Sequence, residues 1–157
     1  AVIPAPLSIK LVDEDVIRVH ILMLGGGPDI RAKTYRIFHK HSMQTVFDEV
    51  VSWATDSVQL LGCTPTTLFI GIGRSHYEAA SLMLEAQVYG KYSIQNEIES
   101  EITRRVNERH IGPLGIGGFT SVLATFLRVG SQRASGVRIV SMRPGCCFEP
   151  RLASVEL

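Results

Sequence analysis

Apolar residues recur along this chain at two different spacings. Over residues 16–24, VIRVHILML alternates, with Ile17, Val19, Ile21 and Met23 on one face and Arg18 and His20 on the other. That period of two is the signature of a strand. Residues 8–12 are short and β-like and DED at 13–15 is a turn, so a hairpin is expected here, with His20 on its solvated face. From Ser42 the spacing becomes helical: Met43, Val46, Phe47, Val50, Ala54, Val58 and Leu61 share a face. Ser42 suits the N-cap and Gly62 the C-terminal closure. TTLFIGI at 66–72 is an apolar run suited to a strand buried on both faces. Ser75 to Glu78 reads as a capping box for a helix to about residue 89, with Ala79, Leu82, Met83 and Ala86 inward. A third helix is expected from Ser93, with Ile94, Ile98, Ile102 and Val106 as its stripe and Glu101–Arg105 as an i,i+4 pair. Strands follow at 122–129, 137–142 and 152–157. The order β-β-α-β-α-α-β-β-β predicts an α+β fold, a mixed, largely antiparallel sheet with about three helices packed on it. No linker divides the chain, so residues 1–157 are expected to form a single domain.

Glycine breaks this pattern twice. GGGPD at 25–29 and IGPLGIGG at 111–118 interrupt the regular elements, and such segments let backbone approach a ligand closely or simply turn. Arg31, Lys33 and Arg36 follow the first loop, so an anion could be held there. The histidines before the first long helix, His39 and His41, are expected at the surface, and Trp53 is expected to be a packing residue.

Charge excludes some classes of function. With 16 basic and 15 acidic residues the formal charge is +1, which gives no electrostatic case for nucleic acid or an anionic membrane. No apolar run approaches the length of a membrane span. The opening AVIPAPLSIK has neither the basic start nor the apolar stretch of a secretory leader.

Three cysteines remain to be explained: Cys63 after the first long helix, and the adjacent Cys146 and Cys147 after a Pro-Gly turn. An odd number of thiols suits a reducing, cytoplasmic setting. By spacing alone, inert buried thiols are their ordinary fate. There is no C-x-x-C pair for a structural zinc site. Yet both cysteine sites lie in loops held by regular elements, where functional side chains tend to sit.

The succession LMLGGG (22–27), LLGCTP (60–65), FIGIG (69–73), IGPLGIGG (111–118) and CCFEPR (146–151) resembles the α part of the iron–sulfur (class I) fumarases and L-tartrate dehydratases. The resemblance runs from about residue 6 to residue 157 and covers the later portion of that α subunit. It implies a hydro-lyase that reversibly dehydrates a hydroxy dicarboxylate of the fumarate/malate or tartrate type. In the family, three cysteines hold a 4Fe–4S cluster and leave one iron open to the substrate's hydroxyl and carboxylate. Carried over by position, Cys63 and Cys147 are metal ligands, and Arg151 falls at the C-x-x-x-R spacing from Cys147. Gly25, Gly26 and Gly27, with Arg151, match the substrate-binding positions, and Gly115, Gly117 and Gly118 match the second glycine loop. Cys146 is then an extra thiol. In an extended strand end its side chain turns away from its neighbour's, so it is expected to be packing.

Departures from the family pattern bear on completeness. The C-Q-D-T-G-like segment that carries the family's first cluster cysteine has no counterpart, so the third cysteine ligand is expected from outside this chain. Leu24 precedes the glycines where the family has a basic or small residue, GCTP stands for ACPP, GIGR for GIGG, and Phe119 follows the later Gly-Gly. The family's β part is missing, which implies a β subunit or domain as partner, and a homo-oligomer. No general base is named by the sequence. A cluster-free scaffold or small-carboxylate-binding relative is the alternative, and a redox role for Cys146–Cys147 a third reading. The hydro-lyase reading requires Cys63 and Cys147 to converge in space with the glycine loops beside them.

Overall fold

The computed structural model describes residues 6–157; residues 1–5, the first half of the segment read for a leader, lie outside the described residues. In chain order the elements are β1 (Arg18–Met23), a single helical turn α1 (Gly26–Asp29), β2 (Lys33–Phe38), α2 (Met43–Gln59), β3 (Thr66–Gly73), α3 (His76–Tyr89), α4 (Glu97–Asn107), a 3-10 turn (Pro113–Gly115), β4 (Val122–Val129), β5 (Val137–Pro144) and β6 (Arg151–Glu156). Four strands form one sheet in the order β2-β5-β3-β4, and β1 and β6 form a separate ribbon. Only β3 and β4 run parallel; the other pairings are antiparallel. A parallel pair needs a crossover, and α3 and α4 supply it. The fold is therefore α+β with mixed, mostly antiparallel pairing, as the element order predicts.

β3 is buried at every position because helices cover both faces of the sheet. Alternation divides its side chains. Leu68, Ile70 and Ile72 join Val46, Val50, Ala54 and Val58 of α2 and Ile102 and Val106 of α4 in one core. Phe69 points the other way, to Met83 and Ala86 of α3 and to Phe126 of β4.

Two strands lie elsewhere than the alternation suggests. Residues 8–12 form no strand, and β1 pairs with β6 instead, Val19 opposite Val155 and Ile21 opposite Ala153. The second strand is β2, whose basic residues obscured its period: Lys33 sits over the Trp53 ring and Arg36 over Phe38, while Ile37 enters the core. Arg31 does not converge with them on an anion; its guanidinium is taken by backbone carbonyls.

The ribbon is oriented opposite to the hydropathy expectation. His20 is half-buried, bonded through Nδ1 to Ser154 Oγ (2.7 Å) and edge-on to Tyr89. Ile17, Val19, Ile21 and Met23 face outward and are joined on that face by Val155 and Leu157. His39 is also buried, its Nε2 bonded to Ser135 O (2.9 Å), because the loop before β5 folds over it.

Helix ends follow local chemistry. Ser42 Oγ accepts from Thr45 N as expected, but α2 closes at Leu60 and Gly62 adopts no left-handed φ. Ser75 caps α3, while the Glu78 carboxylate turns to Arg74 rather than closing a box. α4 starts three residues later than Ser93, where Asn96 and Glu99 form a full capping box, and Ile94 is left exposed. Glu101 pairs with Arg104, and Arg105 reaches Asp48 of α2 instead (2.7 Å). Asn96→Ala is expected to lower stability by about 1 kcal/mol, measured by urea unfolding; a change below about 0.3 kcal/mol would mean that the cap contributes nothing.

Candidate metal centre of three thiols

Four loops meet at one end of the sheet, and hydrogen bonds to backbone carbonyls fasten them. Thr66 opens β3 just after the Cys63 loop, and its Oγ1 donates to Gly145 O (2.5 Å), next to Cys146. Gly145 N donates in return to Thr67 O (2.7 Å). The first glycine loop is tied to the end of α2 by Arg31, whose guanidinium donates to Gly27 O and Leu60 O, each at 2.6 Å. The second is tied there by Leu114 N, which donates to Leu61 O (2.8 Å). Positive φ at Gly112 and Gly117 bends that second loop back on itself; a Cβ on Gly112 would meet Gly117 O at 2.0 Å.

The consequence is that the sulfurs of Cys63, Cys146 and Cys147 all lie within 4.8 Å of one another. Those of Cys146 and Cys147 are 3.9 Å apart, and all three thiols are free. Cys63 is exposed; the other two are half-buried. The convergence of Cys63 with Cys147 is what the hydro-lyase reading required. The position of Cys146 differs from expectation. Residues 146–149 form a turn, closed by Glu149 N donating to Cys146 O (2.9 Å), so the alternation of an extended strand does not apply to these neighbours.

The two adjacent thiols have different acidities. The backbone N–H of Phe148 holds Cys146 below the ordinary thiol range, with help from the neighbouring thiols against a raising effect of burial. Burial, followed by the adjacent Cys146, pushes Cys147 up.

Beneath this turn lies an ion pair that the sequence reading missed. Arg143 and Glu149 are 0% and 3% exposed. The Arg143 guanidinium donates to both carboxylate oxygens of Glu149 (2.5 and 3.2 Å) and to Gly25 O (3.2 Å). Gly25 N donates to Glu149 Oε1 (2.6 Å). The first glycine loop is thus strapped to the cysteine turn, and the N–H of Gly25 is committed to Glu149. Burial raises the Glu149 carboxyl, but Arg143 and the Gly25 N–H outweigh it and hold the group below its usual range. A visible signal was present: one charge at the end of an apolar strand, MRPG, and its opposite six residues later across a turn.

Gly26 and Gly27 stand open, with nothing within 4 Å of where a Cβ would be. Arg151 is exposed at the start of β6, opposite Met23, and its side chain has no hydrogen-bond or ion-pair partner among the described residues. A groove between α2 and α4 is lined by Asp48, Asp56, Arg105 and Arg109, with Asp48 already paired to Arg105, and it involves none of the thiol-bearing loops.

Loops gathered at the end of a mixed sheet define an α+β protein with a cluster of three free thiols at that end. The chain belongs to the fumarate hydratase (Fumerase) family, whose family model matches residues 2–156. No curated protein matches the chain. Membership makes it a component of a fumarate hydratase-type hydro-lyase, and the family's substrates are dicarboxylates. Among the described residues no helix is long and apolar enough to cross a membrane.

Proposed function

We propose that residues 1–157 form one domain, the later portion of the α part of an iron–sulfur-dependent hydro-lyase. The enzyme reversibly dehydrates a hydroxy dicarboxylate of the fumarate/malate or tartrate type. The observation that carries this reading is the meeting of the Cys63 and Cys147 sulfurs at the end of the sheet, in a member of this family. The donor set fits a thiolate-ligated group: it consists of thiols only, and one of them opens to solvent. Cys63 and Cys147 would hold a 4Fe–4S cluster, which supplies a Lewis-acidic iron for the substrate's hydroxyl and carboxylate.

The chain's own residues bind and orient. Arg151, exposed and unpaired among the described residues, presents a guanidinium suited to a carboxylate. Gly26 and Gly27 leave room for a small anion to approach their backbone. Gly25 belongs to the same segment but holds the loop in place through Glu149. On this reading the family's upstream segment and β part supply the remaining groups of the active site. The outward apolar face of the β1–β6 ribbon supports a β subunit or domain and a second copy as partners, because a two-stranded ribbon is marginal without cover. Free thiols support a cytoplasmic location.

Anaerobic iron–sulfur reconstitution, with and without partner segments, tests this. Iron content and visible absorption should show uptake that falls at least about tenfold in Cys63→Ser and in Cys147→Ser. Malate or tartrate dehydration should appear only with partners present. Failure of uptake under every condition would leave the cluster-free, carboxylate-binding relative as the reading.

A further inference from the structure

We infer that Cys146 is the third thiolate donor of this centre, so that the chain carries a three-thiolate set of its own. The inference rests on reading the thiol cluster as a metal centre, and it replaces the expectation that the third cysteine comes from elsewhere.

Three observations carry it. First, Cys146 is not spent in packing: it is half-buried and belongs to neither of the two hydrophobic clusters. Second, its sulfur stands within 4.8 Å of both others, so no thiol is aimed away. Third, the turn bearing it is held from both ends. Gly145 is bonded to Thr66 and Thr67 on one side, and Glu149 to Arg143 and Gly25 on the other. A donor set held by its surroundings loses less freedom on binding than one that must be assembled.

Spacing and softness define the ligand class. Around an ion with metal–sulfur bonds of about 2.3 Å, tetrahedral geometry separates sulfurs by roughly 3.8 Å. The Cys146–Cys147 separation is 3.9 Å, and Cys63 needs only a small side-chain adjustment to join them. Three thiolates without carboxylate or imidazole select soft and borderline metals over magnesium or calcium. Each thiol releases its proton to solvent as it ligates. The exposed side at Cys63 leaves a coordination position for a ligand from outside.

The test uses the reduced full chain, kept anaerobic and titrated with Co2+ and then Cd2+. Wild type should bind one ion per chain with sulfur-to-cobalt charge-transfer absorption. Cys146→Ser should bind at least about tenfold more weakly, as should Cys63→Ser and Cys147→Ser, and each should lose roughly a third of the charge-transfer intensity, one thiolate of three. Circular dichroism of the metal-free variants checks the fold. An independent readout needs no variant: in wild type, Cd2+ should slow iodoacetamide alkylation of Cys146 as much as that of Cys63 and Cys147, read by peptide mass spectrometry. Unchanged binding in Cys146→Ser overturns the inference. So does alkylation of Cys146 at an unaltered rate while the other two thiols are protected, and so does absence of ion binding by wild type. Three-thiolate binding without hydro-lyase activity after reconstitution with partners would count against the functional proposal alone. Hydro-lyase activity with Cys146 left unprotected would count against this inference alone.

Discussion

Arg143→Ala is expected to destabilise the protein by about 3–5 kcal/mol, the cost of breaking a buried ion pair from one side. Arg143 is fully buried and Glu149 nearly so. Removing the guanidinium leaves a carboxylate in the interior with only backbone N–H groups, Gly25 foremost, to stabilise it, and leaves Gly25 O with Asp29 N as its remaining donor. The loss also frees the turn that carries Cys146 and Cys147. Urea unfolding measures it, and a loss under about 1 kcal/mol would show that water or a neighbour replaces the guanidinium. The double variant Arg143→Met with Glu149→Leu should recover much of the loss, since replacing both charges by apolar groups of similar volume is often neutral.

The pH dependence has a definite sign. In the native protein the Glu149 carboxyl is depressed, so its contribution is present above the unfolded value of about 4.3 and is lost as pH falls through the lower folded value. In Arg143→Ala, burial, the largest influence on this group, is opposed only by backbone N–H groups, and the carboxyl rises. Protonation then relieves the variant, and the gap between variant and wild type should narrow as pH is lowered from 7 toward 4. A gap that widens on acidification would contradict this electrostatic account.

Gly71→Ala is expected to cost about 3 kcal/mol or more, the upper range for overpacking. Gly71 lies in β3 on the face covered by α3. A Cβ there would sit 2.1 Å from Ala79 O and 2.4 Å from Met83 N. Both are backbone atoms of a helix, so no side-chain rotation relieves the clash and α3 must move away from the sheet. Its shift would disturb the contacts among Phe69, Met83, Ala86 and Phe126. Gly26→Ala is the control, because nothing lies within 4 Å of its Cβ position. If the two variants unfold at the same denaturant concentration, the close approach of α3 to β3 does not limit stability.

These two positions also mark where reading the sequence stops. FIGIG is recognisable as a buried strand from its apolar run alone, but the glycine within it has a purpose only once α3 crosses there. Arg143 ends an apolar strand with an opposite charge six residues later, a signal the sequence carries, but only the folded turn buries the two against each other and against Gly25. Ser42, Ser75 and the stripe of α2 were legible because caps and helical faces are decided by residues three and four apart. The ribbon departs from its local pattern because β1 finds its partner 128 to 138 residues later, from Met23 with Arg151 to Arg18 with Glu156, and its apolar side faces outward. β2 is hidden in the sequence because the charged ends of its edge-strand Lys33 and Arg36 lie over aromatic rings, a contact that local patterning does not encode.

The thiol centre divides the same way. Sequence alone determined that Cys63 and Cys147 sit in loops at the ends of regular elements, in an order and spacing that mark the fumarate hydratase family, because motif spacing is a property of the linear chain. Tertiary structure alone decided that Cys146 joins them. Whether adjacent side chains diverge or share a side depends on the backbone path, here a turn closed by Glu149 N on Cys146 O and held from below by Arg143. The pairs that hold it, Thr66 with Gly145 and Gly25 with Glu149, are 79 and 124 residues apart, and only the folded chain brings them within reach.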